Sequence, residues 1–207
     1  MEVLKKVFMV VACLAFALHA RAQSEAALQR AYKNSYAEEA KKNYAESINY
    51  IKPFYSDGDY DANLRLGWLY FLSKNYTASE GYYAKAVRIK PNSIEAKFGY
   101  VKPLSLLASW DKVMAQYAAI LKTDPQNTQA NYWTGVIYYN RKQYDAASKY
   151  FLKVVSLYPF DYDGNQMLAW TFLMLGNKPQ ARNYFEQALI IKPDDVSCLD
   201  GLAKAKN

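Results

Sequence analysis

Histidine and cysteine are almost absent from this chain. Its 207 residues include one histidine, His19, and two cysteines, Cys13 and Cys198. Histidine is the commonest general acid or base near neutral pH, and clustered cysteines mark zinc sites or disulfide frameworks. A glycine-rich phosphate-binding loop is missing as well. These absences argue against an enzyme, so we expect no catalytic residue, no metal, no cofactor and no small-molecule substrate.

The aspartates do not form a recognisable calcium loop. Asp57, Asp59 and Asp61 alternate as such a loop requires, but an EF-hand loop also needs glycine at its sixth position and glutamate at its twelfth. Those positions hold Ala62 and Trp68. We therefore predict that these aspartates form a turn and cap the start of a helix.

Long hydrophobic runs are missing except near the N-terminus, where residues 1–22 resemble a secretory signal peptide. Lys5 and Lys6 precede an apolar run, Val7–Leu18, that is too short to span a bilayer as a helix. Residues 20–22 have the small-x-small pattern of a cleavage site. We expect cleavage after Ala22 and export, which indicates a periplasmic or secreted protein, with a bacterial envelope as the favoured location.

Two other interpretations of the leader are open. In one, it stays uncleaved as a membrane anchor. In the other, Val10–Cys13 is a lipid-attachment motif and Cys13 carries the lipid. The second alternative leaves a very apolar new N-terminus, because the apolar run continues past Cys13. Membrane contact is expected only in these two cases.

Positive charge exceeds negative charge, with a formal net charge of +7. Part of the excess belongs to the leader: without Lys5, Lys6, Arg21 and Glu2, 23 basic and 18 acidic side chains are left. Several of the remaining lysines fall near the ends of predicted helices, where a cation complements the helix dipole. We therefore expect no nucleic-acid partner.

Aromatic residues are abundant, with 20 tyrosines in the chain, and they recur at a fixed step. In residues 128–161 two amphipathic stretches flank a polar turn at Asn140–Gln143, and a proline closes the unit. Steps of about 34 residues find the same pattern in both directions. The closing proline returns without a slip at Pro91, Pro125, Pro159 and Pro193.

This unit resembles the tetratricopeptide repeat, a helix pair of about 34 residues. Gly135 matches the small residue where the two helices cross, Tyr138 and Tyr144 match its aromatic positions, and Ala147 and Phe151 match the second helix. The resemblance implies an all-α fold, a right-handed α-solenoid or superhelix of antiparallel helix pairs. The predicted division is a signal peptide over 1–22, a degenerate first repeat or N-terminal helical cap over 23–59, four repeats over 60–93, 94–127, 128–161 and 162–195, and a C-terminal capping helix over 196–207.

Two segments depart from the repeat pattern. In the degenerate repeat, Ser35 is the nearest match to the small crossing residue, and Lys52 followed by Pro53 ends the second helix early. In repeat 94–127, Pro103 lies inside the first helix, where it removes a backbone hydrogen bond to the carbonyl of Gly99. We predict a kink between Gly99 and Pro103, which is either tolerated or a way to widen a binding groove.

The C-terminal helix is predicted to cover the apolar side of the last repeat. Leu199, Leu202 and Ala203 fall on one helical face and are expected to make that contact. Cys198 is expected to be a buried thiol rather than part of an intermolecular disulfide.

The resemblance implies that the concave face of the solenoid binds partners, through fixed positions of each first helix. In this sequence those positions are mainly aromatic and apolar. The predicted groove residues are Leu64, Trp68, Phe71, Phe98, Lys102, Tyr132, Val136, Tyr139, Gln166, Trp170 and Leu173. With Lys102 as its only basic residue, this set does not match the carboxylate clamp by which some family members hold chaperone C-termini. Aromatic anchors suit a peptide or an amphipathic helix.

We therefore expect a non-enzymatic interaction module, an adaptor or scaffold of the cell envelope that binds another protein. The alternative is a structural subunit of an envelope assembly, such as outer-membrane biogenesis, secretion or motility machinery. Stacking of the aromatic residues on sugar rings is a weaker third hypothesis.

Overall fold

Helices account for nearly all of the described chain. The computed structural model describes residues 23–206, and within that range it contains eleven α-helices, one short 3₁₀ turn and no β-strand. The expected signal peptide, with Cys13 and His19, lies outside the described residues, as does Asn207. The described residues form two compact units, unit 1 over residues 23–107 and unit 2 over residues 108–206. No helix between residues 23 and 206 is both long and apolar enough to cross a membrane.

Unit 1 contains five helices joined by short connections. Its helices are α1 (residues 23–40), α2 (Tyr44–Ile51, followed by the 3₁₀ turn Lys52–Phe54), α3 (Tyr60–Leu72), α4 (Tyr76–Ile89) and α5 (Ile94–Leu106). Within this unit α3 packs against both α2 and α4, and α5 packs against α4. As expected from Pro53, α2 ends at Ile51.

Unit 2 contains six helices. They are α6 (Trp110–Thr123), α7 (Thr128–Asn140), α8 (Tyr144–Leu157), α9 (Tyr162–Met174), α10 (Lys178–Ile191) and α11 (Val196–Lys206). Each helix from α7 to α11 packs against the helix before it. Because α5 belongs to unit 1 and α6 to unit 2, the boundary between the units falls inside the predicted repeat 94–127.

Polar side chains begin the first helix of each regular pair. The side chains of Asp59, Ser93, Asn127 and Asp161 each accept a hydrogen bond from a backbone N–H three residues ahead, at 2.6–3.1 Å. These N–H groups have no partner inside the helix, so the cap stabilises the first turn. The predicted capping role of Asp59 is therefore confirmed.

The fourth residue of these helices holds the preceding loop. Asn63, Asn131 and Asn165 are buried, and each side-chain amide donates to two backbone carbonyls of the loop at 2.6–3.1 Å. Lys97 has the same place in α5, and its ammonium donates to the carbonyl of Pro91. Burial lowers the pKa of the Lys97 ammonium. The capping residue and the fourth residue together fix where each first helix begins.

An aromatic ring of α4 lies between two glycines in unit 1. A Cβ atom on Gly67 of α3 would lie 2.9 Å from the ring of Tyr83, and one on Gly99 of α5 would lie 2.2 Å from it. Neither position has room for a larger residue, so α3, α4 and α5 pack closely around Tyr83. In α5 the close approach is therefore made at Gly99, two residues before Val101, the position that the repeat pattern assigns to the small crossing residue.

The helix pair α1 and α2 makes the same hydrogen-bond contact as the pair α3 and α4. The residues involved are shifted by 32 positions, from 35 to 67 and from 47 to 79. The Ser47 hydroxyl donates to the carbonyl of Ser35 at 2.7 Å, and the Ser79 hydroxyl donates to the carbonyl of Gly67 at 2.7 Å. Small residues at these four places let the paired helices approach each other. Thus α1 and α2 form a repeat-like pair whose register is two residues shorter than the 34-residue step.

Unit 2 is built around two phenylalanine rings. Phe151 of α8 packs on Gly135 of α7, the predicted crossing residue, where a Cβ atom would lie 2.7 Å from the ring. Phe185 of α10 packs on Gly201 of α11, where a Cβ atom would lie 2.1 Å from the ring. Both phenylalanines are fully buried. Burying a side chain of this size contributes about 1.5–3 kcal/mol, so these rings are major contributors to the stability of the unit.

Helix α5 runs without interruption from Ile94 to Leu106, although Pro103 lies inside it. The predicted kink between Gly99 and Pro103 stays a prediction.

The contact face of α11 differs from the predicted one. Cys198, Gly201 and Ala205 are buried, whereas Leu199 is 49% exposed and Ala203 is exposed as well. The prediction that Leu199 and Ala203 cover the last repeat is therefore wrong, because the helix packs on the Phe185 ring through Gly201. Leu202, the third residue of that prediction, does pack against the cluster that contains Phe185. The predicted burial of the Cys198 thiol is confirmed.

Candidate functional site

The first helices of unit 1 line a groove of about 1060 Å³. Helices α1, α3 and α5 form its walls, and the ring of Tyr83 reaches it from α4. The lining residues are Leu28, Gln29, Tyr32, Tyr36, Glu39, Ala40, Asp59, Asp61, Leu64, Arg65, Trp68, Tyr83, Glu95, Phe98, Gly99 and Lys102. All of them belong to unit 1. This groove is the candidate binding site.

The apolar part of the groove follows from helix geometry. Leu64 and Trp68 are four residues apart and therefore share one face of α3. Phe98 has the place in α5 that Leu64 has in α3, and both line the groove. The ring of Tyr83 also reaches the groove, although it is buried against Gly67 and Gly99 with 4% of its surface exposed. The groove thus offers a continuous set of aromatic and aliphatic side chains from two neighbouring helices.

One carboxylate fixes the tryptophan of the groove. Glu39 of α1 accepts a hydrogen bond from the Trp68 indole Nε1 at 2.6 Å, and its other oxygen pairs with the Arg65 guanidinium. The carboxylate therefore links α1 to α3 twice. The Trp68 ring also stacks on Phe71, with 5.8 Å between centroids. An indole held in this way loses little conformational freedom when a ligand packs against it.

Arg65 is buried behind this carboxylate, with 6% of its surface exposed. Its guanidinium donates to the Ser35 hydroxyl at 2.9 and 3.1 Å and lies 3.8 Å from the centroid of the Tyr36 ring. Because Glu39 neutralises its charge and the serines accept its other hydrogens, Arg65 is part of the groove wall. It is poorly placed to bind an incoming anion.

Carboxylates lie along the edge of the groove where α3 and α5 begin. Asp59 caps α3, Asp61 lies in its first turn, and Glu95 is the second residue of α5. The Tyr60 hydroxyl connects the two helix starts, at 2.7 Å from the Ser93 hydroxyl and 3.4 Å from a Glu95 carboxylate oxygen. This edge is therefore negatively charged.

The Tyr32 phenol, which lies near this edge, has a raised pKa. Burial, followed by the nearby Asp59 and Asp61 carboxylates, raises the pKa of Tyr32 to about 12. Both effects favour the neutral phenol over the phenolate. Tyr32 lines the groove from α1, so it stays a hydrogen-bonding hydroxyl at any physiological pH.

One cation of the groove lining, the Lys102 ammonium, lies close to the Trp68 ring. The Lys102 ammonium is 5.7 Å from the centroid of the Trp68 ring, a cation–π distance. Lys102 is exposed on α5. Its flexible side chain is able to move aside when a ligand contacts the indole, at a small free-energy cost.

The structure brings together most of the predicted groove residues of unit 1. Leu64, Trp68, Phe98 and Lys102 line the groove. Phe71 is outside the lining set and supports Trp68 from one side, while also contacting the Tyr76 ring at 5.8 Å.

The predicted residues of unit 2 pack within their own unit. Tyr132, Val136 and Tyr139 pack against the buried cluster around Ala147 and Phe151. Their role in binding stays a prediction.

Further along unit 2, Gln166 donates hydrogen bonds to the Tyr162 hydroxyl at 2.8 Å and to the Asp195 carboxylate at 3.3 Å. Trp170 and Leu173 pack against the cluster that contains Phe185. A binding role for these three residues likewise stays a prediction.

Sequence reasoning missed the wall of the groove that α1 provides. Tyr32, Tyr36 and Glu39 line the groove, but the register of the degenerate repeat is shifted by two residues, so the family's groove positions were not assigned in α1. A detectable signal was the helical spacing of Tyr32, Tyr36 and Ala40, which marks one face of α1. The link between Glu39 and Arg65 had no sequence signal, because 26 residues separate the two.

Metal chemistry receives no support from the described part of the chain. Between residues 23 and 206, no group of three or more histidine, cysteine or acidic side chains is arranged to hold a metal ion.

Comparisons with known proteins agree with the helix pattern. Two segments, residues 60–93 and 115–162, match models of the tetratricopeptide repeat. A search of curated proteins finds no match to this chain.

Several solved structures have the same fold. A tetratricopeptide repeat protein from Parabacteroides merdae has a TM-score of 0.75 and 17% identity, covering 86% of this chain and 72% of its own. MamA from Desulfovibrio magneticus has a TM-score of 0.70 and 16% identity, covering 82% and 97%. YrrB, described as a tetratricopeptide repeat protein with an unusual peptide-binding site, has a TM-score of 0.69 and 16% identity, covering 82% and 89%. At such low identity these matches concern the fold, and they confirm the predicted α-solenoid class.

Proposed function

Because this chain is a tetratricopeptide repeat protein, we propose that it is a non-enzymatic interaction module that binds a segment of another protein in the groove of unit 1. The segment is an extended peptide or one amphipathic helix. The groove is of the size that encloses several side chains, since ligand pockets are typically about 300–1,000 Å³. In this proposal Leu64, Trp68 and Phe98 are the apolar contacts.

The observation that carries the proposal is the state of Trp68. Its indole N–H is already paired with Glu39, and its ring lines the groove beside Leu64. Binding an apolar side chain there buries aromatic surface without leaving a polar atom unpaired. Preorganised aromatic residues of this kind contribute most of the binding free energy in many interfaces.

The peptide-binding site of YrrB supports a peptide as the ligand. That protein is a tetratricopeptide repeat protein with a peptide-binding site, and its fold is similar to the fold of this chain. The likeness does not extend to residues, so the groove of unit 1 is proposed from its own side chains.

The test is a capture experiment with two matched tryptophan variants. Wild type, Trp68→Ala and Trp170→Ala are used as baits in envelope extract, and bound proteins are identified by mass spectrometry. The two tryptophans have the same repeat position, but only Trp68 lines the groove of unit 1. We expect a partner that wild type and Trp170→Ala retain and that Trp68→Ala loses. Retention by all three baits contradicts the proposed site.

The cell envelope is the proposed location of this module. The support is the composition of residues 1–22, with Lys5 and Lys6 before an apolar run and a small-x-small pattern before Gln23. Mass spectrometry of the intact protein from a bacterial host that expresses the whole chain tests this. Removal of residues 1–22 supports export, whereas an unprocessed chain in the cytoplasmic fraction contradicts it.

A structural subunit of an envelope assembly is the second candidate function. The observation that favours it is the exposure of large apolar side chains in unit 2. Phe160 is 69% exposed, Tyr158 59%, Ile190 61% and Val196 78%. Surfaces that other proteins cover typically expose several large apolar residues. A purified chain that is monomeric and stable alone argues against this candidate, and one that aggregates without a partner supports it.

A further inference from the structure

The groove of unit 1 has a charge opposite to that of the whole chain. We infer that its ligand is a cationic segment of a partner protein, with a lysine or arginine close to an aromatic or aliphatic anchor. This inference rests on the proposed function and specifies its ligand. The chain has a net charge of +7, whereas the groove lining contains four carboxylates and two cations.

The balance becomes more negative once the internal ion pair is removed. Glu39 and Arg65 neutralise each other. Asp59, Asp61 and Glu95 are left against Lys102 alone, so the part of the lining that can interact with a ligand has a net charge of −2. A groove with low-dielectric walls focuses such a charge and attracts ligands of opposite sign.

Two of these carboxylates, Asp61 and Glu95, lie close to the Tyr60 phenol. Asp61 and Glu95 have the second position of α3 and α5, and both contribute to the raised pKa of the Tyr60 phenol, after the larger effect of its burial. Among residues 23–206 neither carboxylate forms a salt bridge.

The Lys90 ammonium lies near this edge of the groove, 3.9 Å from the centroid of the Tyr60 ring. Within the described range it faces that ring and forms no salt bridge with Asp61 or Glu95, so a ligand cation can still pair with these carboxylates.

Helix geometry sets the spacing that the ligand needs. Seven residues separate Asp61 from Trp68, which corresponds to about 10 Å along the helix axis. An extended peptide covers about 3.3 Å per residue, so its cationic side chain and its anchor stand about three residues apart. Leu64 and Phe98 lie between these two ends of the groove and accept the side chains in between.

Two other ligand chemistries suit the groove less well. An anion would meet a net negative charge, and the buried Arg65 already donates to Glu39 and Ser35. A metal ion would need three or more suitable ligands, and the described residues contain no such group. A cationic peptide with an apolar anchor is complementary both to the negative charge of the groove and to its aromatic surface.

The experiment is a selection from a random twelve-residue peptide library displayed on phage. The bait is the protein purified from cells that express the whole chain, and the selection is repeated against Trp68→Ala. We expect the peptides that only wild type enriches to contain lysine or arginine within about three residues of an aromatic or aliphatic residue. Enrichment of acidic or uncharged peptides overturns the inference and leaves the proposed function standing. If the selection yields no peptide whose enrichment depends on Trp68, the result contradicts the proposed function itself.

A charge-neutral double variant then tests the carboxylates directly. For a selected peptide, Asp61→Asn combined with Glu95→Gln is expected to weaken binding at least about tenfold, measured by fluorescence anisotropy at low salt. The dependence of affinity on salt is expected to become shallower in the double variant. Asp163→Asn is the matched control, because Asp163 has the same repeat position in α9 of unit 2 and is also exposed. An unchanged affinity in the double variant, or an equal loss in the control, overturns the inference.

Discussion

The two units place the same repeat position in different surroundings. Trp68 in unit 1 and Trp170 in unit 2 both hold the ninth position of a first helix. The indole of Trp68 donates to Glu39 and its ring lines the groove. The indole of Trp170 donates to the Ser197 hydroxyl of α11 at 3.1 Å, and its ring meets Phe185 edge-on at 5.2 Å. Repeat register therefore decides which helix face a side chain occupies, whereas the neighbouring helix decides what that face contacts.

A second difference concerns how the two faces are held. In unit 1 a buried ion pair of Arg65 with Glu39 joins α1 to α3. In unit 2 the indole of Trp170 in α9 bonds to Ser197 of α11, Gln166 bonds to Asp195 just before α11, and Phe185 of α10 packs on Gly201 of α11. The face of α3 at the groove is thus held by an ion pair, whereas the corresponding face of α9 is held by hydrogen bonds and by the contact of Trp170 with Phe185.

The largest expected effect is on ring packing in unit 2. Replacing Phe185 with alanine removes a fully buried ring and the support of Trp170. We expect a loss of about 3–5 kcal/mol in the free energy of unfolding, measured by urea denaturation with circular dichroism. Ile190→Ala on the same helix is the control, since Ile190 is 61% exposed, and it should change stability by less than about 0.5 kcal/mol. Similar effects of the two variants would show that Phe185 is not central to the packing of unit 2.

The next effect concerns the ion pair of unit 1. Glu39→Ala leaves the buried Arg65 guanidinium without its counter-charge, and we expect a loss of about 2–4 kcal/mol, at the lower part of the range for buried pairs because Glu39 is partly exposed. Trp68 fluorescence should change, because the indole loses its acceptor.

The double variant Glu39→Ala with Arg65→Met tests the reason for that loss. Without the unpaired charge, most of the lost stability should return. A double variant that is less stable than Glu39→Ala would mean that Arg65 acts through packing rather than through its charge.

The two tryptophans are expected to differ in their contribution to ligand affinity. For a peptide selected on wild type, Trp68→Ala should weaken affinity by about 1–3 kcal/mol, which is roughly five- to 160-fold. Trp170→Ala should leave it within about twofold, because Trp170 packs inside unit 2. Isothermal titration calorimetry measures both. Equal losses would indicate that the predicted residues of unit 2 also contact the ligand.

The smallest effect is a difference between two tyrosines at high pH. The pKa is raised to about 12 for Tyr32 in unit 1 and for Tyr117 in unit 2; burial is the largest cause at both, and the Asp59 and Asp61 carboxylates add to it at Tyr32. Since the unfolded pKa is about 10, each neutral phenol contributes stability below pH 10, and this contribution is lost as the pH rises from about 10 through about 12. Added salt should lower the pKa of Tyr32 by a few tenths and affect Tyr117 less.

Ultraviolet titration of tyrosinate in wild type, Tyr32→Phe and Tyr117→Phe checks this difference. The Tyr32 transition is obtained by subtracting the curve of Tyr32→Phe from that of wild type. Equal salt shifts at both tyrosines would show that the groove carboxylates do not act on Tyr32.

Much of the helical pattern was predictable because local interactions produce it. Asp59 and Asp161 begin helices by accepting backbone hydrogen bonds, and Pro53 follows the end of α2, all within a few residues of chain. Gly135 was recognisable as the crossing residue because the repeat pattern places a small residue there, and the ring of Phe151 packs on it. The contact face of α11 was not predictable from the periodicity of its apolar residues, because the packing of Phe185 on Gly201 is a contact between two helices.

The groove was predictable only in part. Trp68 and Phe98 could be assigned because they lie in regular repeats whose positions are known for the family. Tyr32 and Glu39 could not, since α1 belongs to a pair with a shifted register. Val136 and Trp170 have the same position as Trp68, yet they pack against buried clusters of unit 2.

The sequence by itself determined the periodicity of the helices, their starting residues and the small residues at which they cross, because these depend on nearby residues and on one repeated step. Only the tertiary structure decided that α1, α3 and α5 enclose a groove and that its free charge is negative. The reason is distance along the chain: Glu39 and Trp68 are 29 residues apart, and Arg65 and Ser35 are 30 apart. Contacts at that range form only after helices have packed, and they determine which side chains are left to meet a partner.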